Sequence, residues 1–159
     1  TAMVARSTLG KKKYEHVQKE MESIVIEADQ LMCSLKNLIS EDALSFEAVM
    51  AAYKMPKESD EQQSVRKTAI QKAILKAAEV PLETCRASLK VLRLIAIVSE
   101  NGNLNAITDA GTAALISIAA ISSAGANVKI NLQSLKVLCK LGVAILFNAM
   151  RPVRVQLSS

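Results

Sequence analysis

Apolar residues recur along the first third of the chain at steps of four and three: Val17, Met21, Ile24, Ala28, Leu31, Leu35 and Leu38. Glu, Lys, Gln and Asp fill the positions between them. This spacing lays a narrow apolar stripe along one face of a helix, as in a bundle or coiled-coil seam. The next step of the ladder falls on Asp42, and an apolar face resumes at Phe46, Val49 and Tyr53. The pattern predicts a helix over about 12–54, with Ser40 as the candidate break point. Pro56 closes it, because the residue before a proline avoids the helical region.

A polar linker at 57–60 leads into Ser59-Asp60-Glu61-Gln62, a capping-box signature with Ser59 as N-cap. A helix over about 60–79 follows, with Val65, Ala69, Ile70, Ala73, Ile74 and Ala77 on its inner face. Pro81 suits the first turn of a further helix over about 81–100, apolar at Leu82, Cys85, Leu89, Leu92, Ile95 and Ala96. The Asn101-Gly102 pair signals a turn. Another helix is expected from about Thr108 or Asp109 to Ser123, nearly uncharged on every side. Gly125 is its candidate kink or stop, and a last apolar stretch covers 127–148. A helix apolar all round is buried all round, which in a small domain points to subunit association. The fold class is therefore all-α: a bundle of long antiparallel helices, one domain over 1–159, dimeric or larger.

Composition agrees with this reading. Half of the 159 residues are apolar, with five Gly, three Pro, two Phe, two Tyr and no Trp. Few turn formers and aromatics argue against a sandwich or barrel. The apolar runs at 112–128 and 137–150 are shorter than an uncharged membrane span. No signal-peptide pattern opens the chain. Cys33, Cys85 and Cys139 stand far apart and only one histidine, His16, is present. The expectation is free buried thiols in a reducing cytoplasm, a surface histidine and no metal site. The formal net charge of +5 admits nucleic acid as a partner, but stacking aromatics are scarce and the charges are dispersed apart from Lys11, Lys12 and Lys13. No one-sided basic face supports a membrane-surface binder.

Four constellations carry candidate chemistry. Asp42 interrupts the apolar ladder, and a half-buried carboxylate suits a general acid or base. It equally suits a helix that restarts after Ser40. Asn101, Asn103, Asn105, Thr108 and Asp109 cluster at a helix start, where free backbone donors favour an anionic or carbonyl-bearing ligand. Ordinary capping chemistry explains them too. Asn127 and Asn131 stand four apart on one face inside an apolar segment, fit either to bind a heterocycle or to tie helices together. Gly10-Lys11-Lys12-Lys13 lacks the second glycine of a phosphate-binding loop. These lysines are either a solvated face or point charges for a ligand's carboxylates.

The strings AMVARSTLGKKKYE, LISEDALSFEAVMAAYKMPK, AAEVPLETCRASLKVL, NGNLNAITDAGTAAL and AGANVKINLQSLK stand in order over residues 2–136. Together they resemble the formiminotetrahydrofolate cyclodeaminase / methenyltetrahydrofolate cyclohydrolase family. The resemblance implies an all-helical cytoplasmic subunit, dimeric, that binds a tetrahydrofolate derivative as substrate without a permanent cofactor. It implies either of two reactions. In cyclodeamination, N10 of 5-formiminotetrahydrofolate closes onto the formimino carbon and ammonia leaves. In the alternative, cyclohydrolysis, water adds to the methenyl bridge. A third reading is a non-catalytic helical assembly module of the same fold. The sequence alone does not separate the two reactions, and cyclodeamination is taken as the first reading.

Asp42 matches the family's catalytic aspartate. Lys12 is the candidate for the glutamate tail, and Asn103, Asp109, Asn127 and Asn131 for the pterin. A formiminotransferase is a second candidate partner. Family members begin with a Pro-Thr-Pro-Gly-Gly-Gly-like segment that is missing from this sequence. Residues 137–159, apolar and then basic, depart from the family's acidic polar helix.

Overall fold

The computed structural model describes residues 1–135. Cys139 and the 137–159 segment lie outside them. Four α-helices lie among the described residues: α1 (Ala2–Thr8), α2 (Gln18–Tyr53), α3 (Asp60–Asn101) and α4 (Ile107–Gln133). Short 3-10 segments cover Lys12–Val17 and Leu104–Ala106. The three long helices are antiparallel in sequence order. α3 packs against both α2 and α4, whereas α2 and α4 make little direct contact. The bundle is thus a beam, α3, with two walls.

The apolar ladder forms as predicted at the start of α2. Met21, Ile24 and Leu31 are buried there, with Val17 just before the helix. Ser40 does not break the helix, which runs for 36 residues. Beyond Leu38 the buried face passes through Ser45 and Ala52, and Phe46 and Tyr53 point to solvent. The expected face is therefore shifted by one residue. Small residues at 45 and 52 let the helices approach there. Ser59 caps α3 as its sequence predicts, accepting from the Gln62 N–H at 3.2 Å while Gln62 Oε1 accepts from the Ser59 N–H at 3.3 Å.

The second difference concerns Pro81. The two helices expected on either side of it are one continuous 42-residue helix with the proline inside. An internal proline removes the hydrogen bond to the carbonyl four residues earlier. That carbonyl belongs to Ala77, and it accepts instead from Asn131 Nδ2 on α4 at 3.2 Å. A neighbouring helix thus satisfies the acceptor that the proline releases. Val65, expected inside, is exposed.

Two hydrophobic cores sit at the ends of the bundle. One joins Val4, Tyr14, Met21, Ile24, Leu94, Val98 and Ala110. The other joins Ala52, Ile70, Ile74, Leu82, Val128 and Leu132. α1, which shows no pattern long enough to predict, closes the first core with Val4 and Ala5. Thr8 Oγ1 accepts from the Asn103 N–H at 2.9 Å, and Asn103 Nδ2 donates to the Ser7 carbonyl at 3.2 Å. The Leu104 N–H donates to Tyr14 Oη at 3.2 Å. Gly102 permits this knot: a Cβ there would stand 2.3 Å from the Val98 carbonyl oxygen.

α4 departs from expectation in two ways. It passes through Gly125 without a break, and much of it is open in the single chain: Leu115 is 71% and Ile116 65% exposed. Because the helix is continuous, the stretch Leu104–Gln133 is long and apolar enough to cross a membrane by length and composition, unlike the shorter runs read from the sequence. Its buried face packs along α3.

Of the two described thiols, only Cys85 meets the expectation of burial. It lies against the Ile121 carbonyl, and burial pushes its pKa up. Cys33 is exposed, because it lies off the apolar stripe of α2. A thiol reagent at neutral pH is therefore expected to label the exposed Cys33 far faster than the buried Cys85. Peptide mapping at successive times checks this, and equal rates at the two positions would contradict the packing.

Candidate functional site

Between the two cores the bundle has an uncovered waist. α3 supplies the floor with Val80, Pro81 and Thr84. α2 supplies one wall with Leu35, Leu38, Ile39 and Asp42, and α4 the other with Ala120, Ser123, Ala124 and Asn127. The groove encloses about 410 Å³. A larger apolar trough of about 750 Å³ adjoins it, sharing Leu35 and Ile39 and reaching Met32, Met3 and Arg6. Arg6 is paired with Asp29 there at 2.5 Å. Together they make an elongated concavity, apolar for most of its length and polar at both ends.

Asp42 lines the groove and is exposed, not half-buried as its place in the ladder suggests. α4 stands off from α2 and leaves the carboxylate open. The backbone carbonyl of Asp42 accepts from Ser45 Oγ at 2.8 Å, so the helix around it is firm. Asn127 lines the opposite wall. Its Oδ1 accepts from Asn131 Nδ2 at 3.2 Å. The two asparagines thus share a face, as their spacing predicts. Asn131 does the helix tying that the sequence left as one alternative, and Asn127 reaches the groove.

The other candidate residues lie elsewhere. Asn103 is buried at the turn between α3 and α4. Its Nδ2 donates to the carbonyl and hydroxyl of Ser7, and its Oδ1 accepts from the Asn105 N–H. The side chain is occupied in fastening α1. Asp109 is exposed in the first turn of α4. Lys12 is exposed in the turn after Gly10, as is His16. The turn is fixed by a positive φ of 71° at Gly10 and by Gln18, which accepts from the Gly10 N–H at 2.7 Å. Lys12, Asn103 and Asp109 thus gather at one end of the bundle. Asp42 stands 24 residues along α2 from Gln18, about 36 Å at helical rise. Within one chain the two groups form no common site.

Sequence reasoning missed Pro81 and Thr84 in the groove floor. The floor became visible only once α3 proved continuous. No local signal announced it, since a proline flanked by helical patterns ordinarily starts a helix.

The fold and the groove define an all-helical bundle with a carboxylate and an amide on opposite walls of an apolar channel, a pattern suited to a small heterocyclic ligand. A family profile described as formiminotransferase-cyclodeaminase matches residues 1–137. The chain belongs to this family.

It is 41% identical over 134 residues to a methenyltetrahydrofolate cyclohydrolase of Methylorubrum extorquens, covering 84% of this chain and 64% of that protein. It is 27% identical to the formimidoyltransferase-cyclodeaminase of Rattus norvegicus, covering 84% of this chain and 25% of that protein. A crystal structure of formiminotetrahydrofolate cyclodeaminase from Thermotoga maritima superposes with a TM-score of 0.80 at 31% identity, covering 92% of this chain and 68% of that one. The chain thus spans just under two thirds of the bacterial relative's length and a quarter of the mammalian one's.

Proposed function

We propose that the protein acts on the one-carbon unit carried between N5 and N10 of tetrahydrofolate, with Asp42 as the proton-transferring group. The observation that carries this reading is the placing of Asp42 opposite Asn127 across an apolar groove, at one end of an elongated concavity. A flat reduced heterocycle with an extended tail has that outline. Asn127 and Asn131 belong to the pterin end. Lys12, Asn103 and Asp109, at the far end of the bundle, serve the same ligand only if a second copy of the chain brings them close.

The exposed apolar residues of α4 support a homodimer. Light scattering on the purified chain checks this, and a monomer at micromolar concentration would count against it. A soluble cytoplasmic enzyme follows if that face is covered, and a formiminotransferase remains the expected hetero-partner.

Both candidate reactions need a proton moved at nitrogen or water. In hydrolysis, Asp42 takes a proton from the water that attacks the methenyl carbon. It returns a proton to N5 as the carbon–nitrogen bond breaks. In cyclodeamination, it takes the N10 proton and delivers it to the departing ammonia. The higher identity to a cyclohydrolase, 41% against 27–31% for proteins named cyclodeaminases, favours hydrolysis as the first reading. Hydrolysis thereby replaces cyclodeamination as the first reading.

Methenyl absorbance separates the two. Enzyme-dependent loss from 5,10-methenyltetrahydrofolate means cyclohydrolase, and a rise from 5-formiminotetrahydrofolate means cyclodeaminase. Silence with both would favour a non-catalytic assembly module.

A further inference from the structure

Pro81, Ala77, Asn131 and Asn127 form a chain of consequences that crosses from α3 to α4. The proline leaves the Ala77 carbonyl without its usual backbone donor. Asn131 Nδ2 fills that vacancy at 3.2 Å and also donates to Asn127 Oδ1 at 3.2 Å. An amide nitrogen carries two hydrogens, so both donors of Asn131 are committed. A primary amide is planar, and its oxygen and nitrogen lie on opposite sides. With Oδ1 of Asn127 turned toward Asn131, its Nδ2 is turned away and is available as a donor at the groove wall. No partner for that nitrogen is present among the described residues.

We infer that Pro81 and Asn131 are positioning residues. By fixing the flip state of the Asn127 amide, they present an N–H donor, rather than a carbonyl acceptor, across the groove from Asp42. The site thereby selects a ligand that offers an acceptor there, a carbonyl or an unprotonated ring nitrogen of the reduced pterin. A donor at the same place, such as an amino group, would meet the wrong end of a locked amide. This inference rests on the folate reading and assigns the polarity of one wall within it. It also explains why a proline is accommodated in the middle of a 42-residue helix at the groove floor.

The test uses the full chain and tetrahydrofolate, with titration calorimetry for affinity and thermal melting for stability. Asn127→Ala and Asn131→Leu are each expected to weaken binding about tenfold, the worth of roughly one hydrogen bond. The effect should fall on KM more than on kcat. Asn131→Leu also orphans the Ala77 carbonyl and lowers the melting temperature. Adding Pro81→Ala restores a backbone N–H for that carbonyl. The double variant is expected to regain the melting temperature and to keep the weak binding.

Recovery of binding together with stability would show that Asn131 acts only on the fold, and would overturn the inference. So would unchanged affinity in Asn131→Leu. Should that variant fail to fold, the side-chain amide resonances of Asn127 in the unaltered protein decide: they shift on saturation with tetrahydrofolate, or the inference falls. Absence of any tetrahydrofolate binding by the folded, unaltered protein would overturn the folate reading itself. Binding that Asn127→Ala leaves intact would overturn the inference alone.

Discussion

Asp42→Asn is expected to lower kcat on the tetrahydrofolate substrate by about 10²–10⁴-fold, the usual worth of a positioned general acid or base. The substitution keeps the size and planarity of the side chain and removes its ability to accept and return a proton. The side chain is exposed and makes no ion pair among the described residues, so the fold should not notice the change. KM should stay close to that of the unaltered protein, because an interaction used only in the transition state affects kcat and kcat/KM alike. Steady-state measurement of methenyl absorbance gives both parameters. Full activity in the variant would remove Asp42 from the chemistry and leave the groove as a binding surface only. A rise in KM with kcat preserved would make it a ligand contact instead.

Asn103→Ala is expected to act first on stability, because its side-chain amide is committed to α1. The side chain is 7% exposed and is the principal polar link between α1 and the turn from α3 to α4. Without it the Ser7 carbonyl and the Asn105 N–H, both only partly buried, lose their partners, at about 1–2 kcal/mol in total. For a chain of this size that corresponds to a fall of roughly 5 °C in melting temperature. Thermal unfolding followed by circular dichroism measures it. A variant that melts normally but binds tetrahydrofolate poorly would return Asn103 to the ligand site, for which it is a candidate once the family resemblance is drawn.

These two residues show what a sequence can and cannot convey. The ladder from Val17 to Leu38 specified α2, because a one-dimensional period translates directly into a helix face. Ser59 and Gln62 specified the start of α3, because a capping box is local. Asp42 was conspicuous as the residue that broke the period, although the pattern gave no sign that the opposite wall would stand away from it. Asn103 drew notice for its residue type, but its partner Ser7 is 96 positions distant, and no spacing rule reaches that far. The role of Pro81 is illegible in the sequence for a related reason. The group that replaces its missing hydrogen bond arrives from Asn131, on a different helix. α1 leaves no signal in the sequence because seven residues are too few to show a period. Local grammar was readable, and long-range satisfaction of polar groups was not.

The arrangement of two walls leaning on one beam has a mechanical consequence. α2 and α4 meet in the first core and are otherwise anchored to α3 rather than to each other, so the spacing between them at the groove is the softest coordinate of the bundle. A molecule that touches Asp42 on one side and Asn127 on the other acts as a strut across that spacing. Its arrival should quiet a breathing motion along the length of both walls, not merely at the points it touches. Backbone amides of α4 well away from the groove would then exchange with deuterium more slowly in the liganded protein, an effect of restrained fluctuation rather than of contact.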